Sequence, residues 1–227
     1  MADYKMEAAK AALQLIKPGQ TIGVGAGSTI ANLLGLIAAD KDLAASLTFA
    51  TSSFKTAALI MEYDFRLVGS EHVKHIDIYF DGCDQFDAQL NALKCGGGIH
   101  TSEKIMASLA DEFILIGDDS KAVEKLDITY PLVLEVLPTA LQLVNQWLLK
   151  HIPTAKTTMR MSTQKDGAVI TENGNYLLDV YFTEPMEIAE MDAVKMVPGV
   201  VEHSLFVDLA GRAIIAGESG VRILTPR

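Results

Sequence analysis

The stretch from Thr21 to Ala39 opens with the apolar run TIGV (21–24), turns through GAGST (25–29) and continues as a helical repeat from about Ile30 to Ala39. Strand, glycine-rich turn and helix in that order begin a βαβ unit, which commits a chain to a parallel sheet covered by helices. The alternation continues. LTFA (47–50) predicts a strand, TSS a turn, and Lys55–Glu62 a helix. A strand near Arg66–Val68, the strand IDIYF (76–80), the helical SEKIMASLA (102–110) and the strand FILIG (113–117) follow. Ahead of them, Met6, Ala9, Leu13 and Ile16 form the stripe of an amphipathic helix that Lys17-Pro18-Gly19 ends.

After Tyr130-Pro131 the pattern changes. LVLEV (132–136) predicts a strand and Ala140–Lys150 a helix. Two strand-like runs flank Asn173-Gly174, a hairpin signal, and EPMEIAEMDAV (184–194) predicts a helix with proline near its first turn. That succession suits a small α+β module of the split βαβ, ferredoxin-like kind. LFVDLA, RAIIA and VRIL supply closing strands. The expected fold is α/β: a parallel-sheet domain over residues 1–130 plus 206–227, and a second, smaller α+β domain over 131–205.

The 227 residues carry a formal net charge of −10 and no basic run, which argues against nucleic acid or an anionic membrane as partner. A few lysines can still make a positive pocket for a small anion. Cys83 and Cys95 have neither zinc-site nor disulfide-framework spacing. The N-terminal stretch reads as neither a secretion signal nor a membrane span, so the expected compartment is reducing and cytoplasmic.

Two segments carry chemistry. In GAGST, backbone N–H groups and a helix N-terminus can hold an anion, with Ser28 and Thr29 adding hydroxyls. It lacks the Gly-Lys-Ser/Thr ending of a nucleotide P-loop and the third glycine of a dinucleotide fingerprint. By itself it reads equally as a plain turn with Ser28 or Thr29 as N-cap. The second segment is 81–103. Asp81 lies just past a buried strand, where ligands sit in open α/β sheets. Asp84, Lys94, the glycines 96–98 and Glu103 follow within 23 positions, with Thr101 or Ser102 expected to cap the Glu103 helix.

Each residue alone has a plain reading: a turn aspartate, a solvated lysine, a glutamate complementing a helix dipole. Together they point to a catalytic site whose type the residues alone leave open, and aldose–ketose isomerisation is a reaction that needs a set of this kind. A buried carboxylate carries a proton between C1 and C2, a cation stabilises the enediolate oxygens, and other carboxylates open the ring. A remote anchor holds the phosphate. The GAGST turn, Lys121 in the loop GDDSK, and Lys5 on the first helix are the candidates for it.

The motifs VGAGSTI (24–30), TSS (51–53), FDGCDQFD (80–87), LKCGGG (93–98), SEKI (102–105), DDSK (118–121), PLVLEV (131–136), ENGN (172–175) and PGVVEHSLF (198–206) together resemble the type A ribose-5-phosphate isomerases over nearly the whole chain. The resemblance implies a Rossmann-like domain with a smaller α+β domain. It also implies interconversion of ribose 5-phosphate and ribulose 5-phosphate in the non-oxidative pentose phosphate pathway, no metal or other cofactor, and a homodimer or tetramer. By position, Glu103 would be the enediol base. Asp81 and Asp84 would handle ring opening and hydroxyl protons, and Lys94 would sit beside the reacting oxygens. Ser28, Thr29, Lys121 and Lys5 would hold the substrate, chiefly its phosphate, and Ala26, Gly27, Gly82, Cys83, Cys95, Gly96 and Gly97 would complete the lining.

The sequence departs from the family's usual pattern at several places. Ala26 stands for a threonine, Cys83 and Gln85 for alanine and glutamate, Cys95 for a glycine, and Ser102 for an arginine. These changes leave open an isomerase for a different phosphorylated sugar, or a non-catalytic sugar-phosphate sensor. The cysteines read as small apolar fillers, with redox-sensitive thiols as the other reading. His100 reads as partly exposed and incidental, His203 as structural or interfacial, and Trp147 as core.

Overall fold

The computed structural model describes residues 3–226. Helix α1 (Tyr4–Leu13) is capped by Asp3, whose side chain accepts from the Met6 N–H, and leads into β1 (Thr21–Val24). Helix α2 (Ser28–Ala39) buries Ile30, Leu33, Leu34 and Ile37, the i, i+3, i+4, i+7 stripe of a helix with one face on a core. A short helix that periodicity does not reveal, α3 (Lys41–Ser46), is started by Asp40, whose side chain accepts from the Leu43 N–H. Then come β2 (Thr48–Thr51), α4 (Phe54–Glu62) and β3 (Ile76–Asp81). The predicted strand at 66–68 reduces to a single bridge between Phe49 and Leu67. Two short strands, β4 (Gln85–Phe86) and β5 (Ala92–Leu93), precede α5 (His100–Leu109) and β6 (Ala110–Asp118).

Beyond them lie β7 (Leu132–Val136), α6 (Leu141–His151), β8 (Lys156–Met159), β9 (Tyr176–Tyr181), α7 (Ile188–Ala193) and β10 (Val200–His203). The predicted helix at 184–194 is shorter because Glu187 and Glu190 form a capping box that starts it there, leaving Pro185 outside. The hairpin expected at Asn173-Gly174 also differs. The strands that pair are β8 and β9, and the runs beside the turn meet only through the Ile170–Tyr176 bridge. The chain ends with β11 (Leu205–Phe206), β12 (Arg212–Gly217) and β13 (Gly220–Leu224).

The main sheet has the order β13-β12-β6-β3-β1-β2, parallel throughout except for the edge strand β13. Counted in chain order, the parallel strands run 2-1-3-4-5, the doubly wound arrangement with its topological switch between β1 and β3. Both faces are buried. Ile114 and Ile116 of β6 face a core with α2, whereas Phe113 and Leu115 face a second core with Met106 and Ala107 of α5. The second sheet, β10-β7-β9-β8, is antiparallel and packs against Val144 and Leu148 of α6 and Met191 of α7. Its β7-α6-β8-β9-α7-β10 connectivity with spatial order 4-1-3-2 is the ferredoxin-like split βαβ. A three-stranded patch, β11-β5-β4, joins the chain segments between the two sheets. No helix among the described residues is long and apolar enough to cross a membrane.

Leu34, fully buried in the α2 core, has no room to be replaced by a smaller side chain without a void. Leu34→Ala is expected to cost about 2–5 kcal/mol, read as a lowered urea midpoint; a loss under about 1 kcal/mol would show that this core collapses around the gap.

Candidate active site

The switch between β1 and β3 puts the GAGST turn and the end of IDIYFD side by side. Asp81 is the junction. Its Oδ1 accepts the Gly82 N–H (2.7 Å) and the Ala26 N–H (3.2 Å), and its Oδ2 accepts the Tyr79 hydroxyl at 2.6 Å. Lys94 Nζ lies 2.8 Å from the same Oδ2. The carboxylate packs so closely on the glycine turn that a Cβ on Gly25 would fall 1.9 Å from it. Only glycine allows that approach.

Lys94 is buried and spends its three protons inside the site. It faces Asp81, donates to the Gly82 carbonyl, and lies 3.4 Å from Glu103 Oε1. Burial disfavours the Lys94 charge, but the Asp81 and Glu103 carboxylates outweigh it and hold its pKa above the ordinary lysine value. Glu103, in the first turn of α5, responds the other way. Burial pushes its carboxyl up to about 8, Lys94 opposes that rise, and Asp81 adds to it. The result is a carboxyl group that can both take and release a proton near neutral pH. Tyr79, also buried and beside Asp81 and Glu103, has its pKa pushed well above the ordinary value and is a permanent donor.

These groups open onto a cleft of about 290 Å³, sized for a small molecule. Lys5, Ala26, Gly27, Ser28, Thr29, Gly82, Cys83, Asp84, Gly96, Gly97 and Lys121 line it together with Asp81, Lys94 and Glu103, and Asp118 joins them. The cap expected at Ser28 or Thr29 is not formed. Gly27, at φ 102°, is the N-cap residue of α2 and no side chain bonds the first turn, so the amides there are free for an anion. Lys5 and Lys121 stand near Asp118. Burial raises the Asp118 carboxyl, but the Ser120 hydroxyl and these two lysines hold it below the usual range.

Cys95 is a correction. Its side chain turns away from the cleft into the core of the antiparallel sheet, where Sγ donates to the Pro131 carbonyl. Its backbone does serve the site: the Cys95 N–H donates to Asp84 Oδ2, and its carbonyl receives Arg160 Nη2 at 2.8 Å. Arg160, paired with Asp179 at 2.6 Å, also reaches the Gly96 carbonyl and so pins the glycine run from the second sheet. Burial pushes the Cys83 and Cys95 thiols up to about 12, which disfavours the reactive thiolate. His100 is buried rather than exposed, and burial lowers its pKa to about 4. His203 is buried among Lys104, Glu202 and Asp192. Trp147 is only partly buried and stacks on His151 at 4.3 Å.

A larger groove of about 670 Å³ lies against another face of α5, but it is no rival for an anionic substrate. Its lysines are spent on one carboxylate: Lys104 lies 2.7 Å from Glu202, and Lys195 bonds the same side chain.

A family model for ribose 5-phosphate isomerase A (phosphoriboisomerase A) matches residues 48–220. The ribose-5-phosphate isomerase A of Thermosynechococcus vestitus is 38% identical, covering 94% of this chain and 91% of its own. The chain belongs to the ribose 5-phosphate isomerase A family. Among solved structures, the Methanocaldococcus jannaschii ribose 5-phosphate isomerase A superposes with a TM-score of 0.88 at 35% identity, covering 98% of each chain. A D-ribose-5-phosphate isomerase in complex with phospho-erythronic acid superposes with a TM-score of 0.90 at 33% identity, again over 98% of each.

Against that family pattern, three of the departures do not reach the cleft. Gln85 is buried and bonds the Asp127 carbonyl at 3.1 Å, the Cys95 side chain faces the other core, and the Ser102 hydroxyl donates to Glu172 at 2.6 Å. Only Ala26 and Cys83 alter the lining. Sequence reasoning missed Tyr79, Arg160 and Asp118. Tyr79 carried a signal, because a tyrosine two residues before Asp81 shares its face of the strand. Arg160 carried none, since it acts across 65 positions.

Gly25→Ala is expected to displace Asp81 and lower isomerase activity by at least about tenfold while the far-UV circular dichroism stays native. Wild-type activity in a folded variant would show that the seating of Asp81 on the turn does not matter.

Proposed function

We propose that this protein, like the ribose-5-phosphate isomerases it resembles, isomerises D-ribose 5-phosphate, and that it does so to D-ribulose 5-phosphate through an enediol with Glu103 as the base. The observation that carries the reading is the buried trio of Glu103, Lys94 and Asp81 in a cleft that is also lined by an uncapped helix N-terminus and two lysines. The phosphate sits on the α2 N-terminus and hydroxyls, with Lys121 and Lys5 completing its charge. Phospho-erythronic acid, bound by the family member above, supports this: its planar carboxylate presents two oxygens as an enediolate does, and it carries a phosphate.

The geometry divides the two aspartates. Asp81 already accepts from four donors and is best placed to orient Lys94. Asp84 has Oδ2 fixed by the Cys95 N–H and, among the described residues, its other oxygen is unengaged, so Asp84 takes the C1 hydroxyl proton as the ring opens and hands it to the departing ring oxygen. Glu103 then removes the proton from C2 and returns it to C1, while a hydroxyl proton passes from O2 to O1 by way of Asp84. An incoming substrate oxygen displaces Glu103 from Lys94, the longest of the lysine's contacts, which frees the carboxylate and puts the positive charge where the enediolate forms. Lys94 is thus the electrophile, and the reaction is expected to proceed without a metal.

In the same terms, residues 1–130 with 206–227 form the catalytic domain and 131–205 the smaller one; all four strands of the antiparallel sheet fall within 132–203. The protein works as a homodimer or tetramer in the cytoplasm. The full acid–base set argues against a mere sensor, and the nearly unchanged lining argues for ribose.

Conversion of ribose 5-phosphate to the ketose, followed with a chelator present, is expected for the wild type. Glu103→Gln should fold and lose roughly 10²–10⁴-fold in kcat; unchanged turnover would remove Glu103 from its role, and no conversion by the wild type would overturn the reading. The free enzyme's kcat/KM should fall as pH drops through about 8, because the raised Glu103 carboxyl becomes protonated there. A profile flat from pH 6 to 9 would contradict that assignment.

A further inference from the structure

Helix α5 carries Glu103 in its first turn, yet nothing in its own sequence holds that turn. It follows directly on the glycines 96–98, Gly98 is at φ 70°, and its N-cap residue Ile99 offers no side-chain acceptor. The caps expected from Thr101 and Ser102 are absent. Both hydroxyls instead cross to the second domain's side, Thr101 to Glu135 of β7 and Ser102 to Glu172 in the loop between β8 and β9.

Glu135 is out of place by composition. It is the one charged residue of β7, whose five residues are all buried, and it is itself 1% exposed. Neutral groups satisfy it. Oε2 accepts the Thr101 hydroxyl. Oε1 accepts Thr171 Oγ1 at 2.8 Å, Asn175 Nδ2 at 2.8 Å and Asn173 Nδ2 at 3.1 Å. The loop that supplies three of these donors is folded around the carboxylate. The Thr171 N–H donates to the Asn175 carbonyl, the Gly174 N–H to the Thr171 carbonyl, and Gly174 sits at φ 80°. The Asn173-Gly174 signal therefore marks a carboxylate cradle.

Burying a carboxylate without a countercharge is costly, and an apolar residue would serve a buried strand better. Beyond the loop between β8 and β9, the side chain's remaining partner among the described residues is Thr101 in the first turn of α5, where a negative charge also complements the helix N-terminus. We propose that Glu135 is a positioning residue for the reaction: through Thr101 it fixes the helix turn that aims Glu103 at the substrate. The second sheet thereby sets the geometry of a base carried by the first. This inference rests on Glu103 being the base.

The test compares Thr101→Val, Thr101→Ser and Glu135→Gln with the wild type and with Glu103→Gln, by steady-state kinetics and by the pH dependence of kcat/KM. A misaimed base lowers kcat and leaves phosphate binding alone. Thr101→Val and Glu135→Gln are each expected to lose about tenfold in kcat with KM within about twofold, and to displace the acid limb of the pH profile. Thr101→Ser, which keeps the hydroxyl, should retain wild-type values. A folded Thr101→Val or Glu135→Gln with wild-type kcat and pH profile, even with a lowered melting temperature, would overturn the proposal and leave Glu135 a purely structural group. Should one variant fail to fold, the other decides. Full turnover by Glu103→Gln would instead overturn the underlying assignment of the base.

Discussion

The site depends on one carboxylate. Asp81 receives the hydroxyl of its own strand, the amide that follows it, an amide of the glycine turn after β1, and the ammonium of Lys94. Three separate stretches of chain, the end of β3, the glycine turn and the segment of Lys94, are thereby tied to two oxygen atoms in the space that the β1–β3 switch leaves open. The absence of a side chain at Gly25 is what lets the carboxylate lie against the turn. In a doubly wound sheet the switch supplies a crevice in any case; here Asp81 converts the crevice into a fixed frame on which a lysine and a second carboxyl group are mounted.

The electrostatics follow from that frame. Lys94 and Glu103 are both buried, and burial pushes both toward their neutral forms. The two respond in opposite directions because Lys94 has two carboxylates beside it, whereas Glu103 must share one lysine with Asp81. The shared cation stays charged and the second carboxyl group is left close to neutral pH. Such tuning of one carboxyl by another is a general device for acid–base work by side chains of the same type.

Much of this was legible in the sequence because it is local. Strand, glycine turn and helix at 21–39 located β1, the turn and α2. Asp81, Asp84, Lys94 and Glu103 stood out because a parallel strand, a glycine run and a helix start separate them at short range. What escaped was whatever depends on contacts between distant segments. The hydroxyls of Thr101 and Ser102 have the spacing of a helix cap, but partners 34 and 70 positions away claim them. Asn173-Gly174 has the chemistry of a two-residue hairpin, yet the loop folds around a carboxylate from another strand. Cys95 belongs to a site motif, but its side chain packs with Leu93 of β5 in the second core. His100 looked exposed because a polar residue at a helix start is usually solvated, and here the second sheet covers it. In each case local propensity was sound and tertiary packing decided otherwise.

The state of the two thiols has a consequence for the protein's endurance. Cys83 forms part of the cleft wall, and the Cys95 backbone braces Asp84, so both thiols lie close to the site. Burial pushes both thiols well above the ordinary cysteine value, which leaves little of the reactive thiolate at neutral pH. Attack by peroxide or by an alkylating reagent proceeds through the thiolate. A pair of cysteines that looks like a vulnerability is therefore shielded by its own surroundings, and oxidative stress should spare this centre longer than its composition suggests.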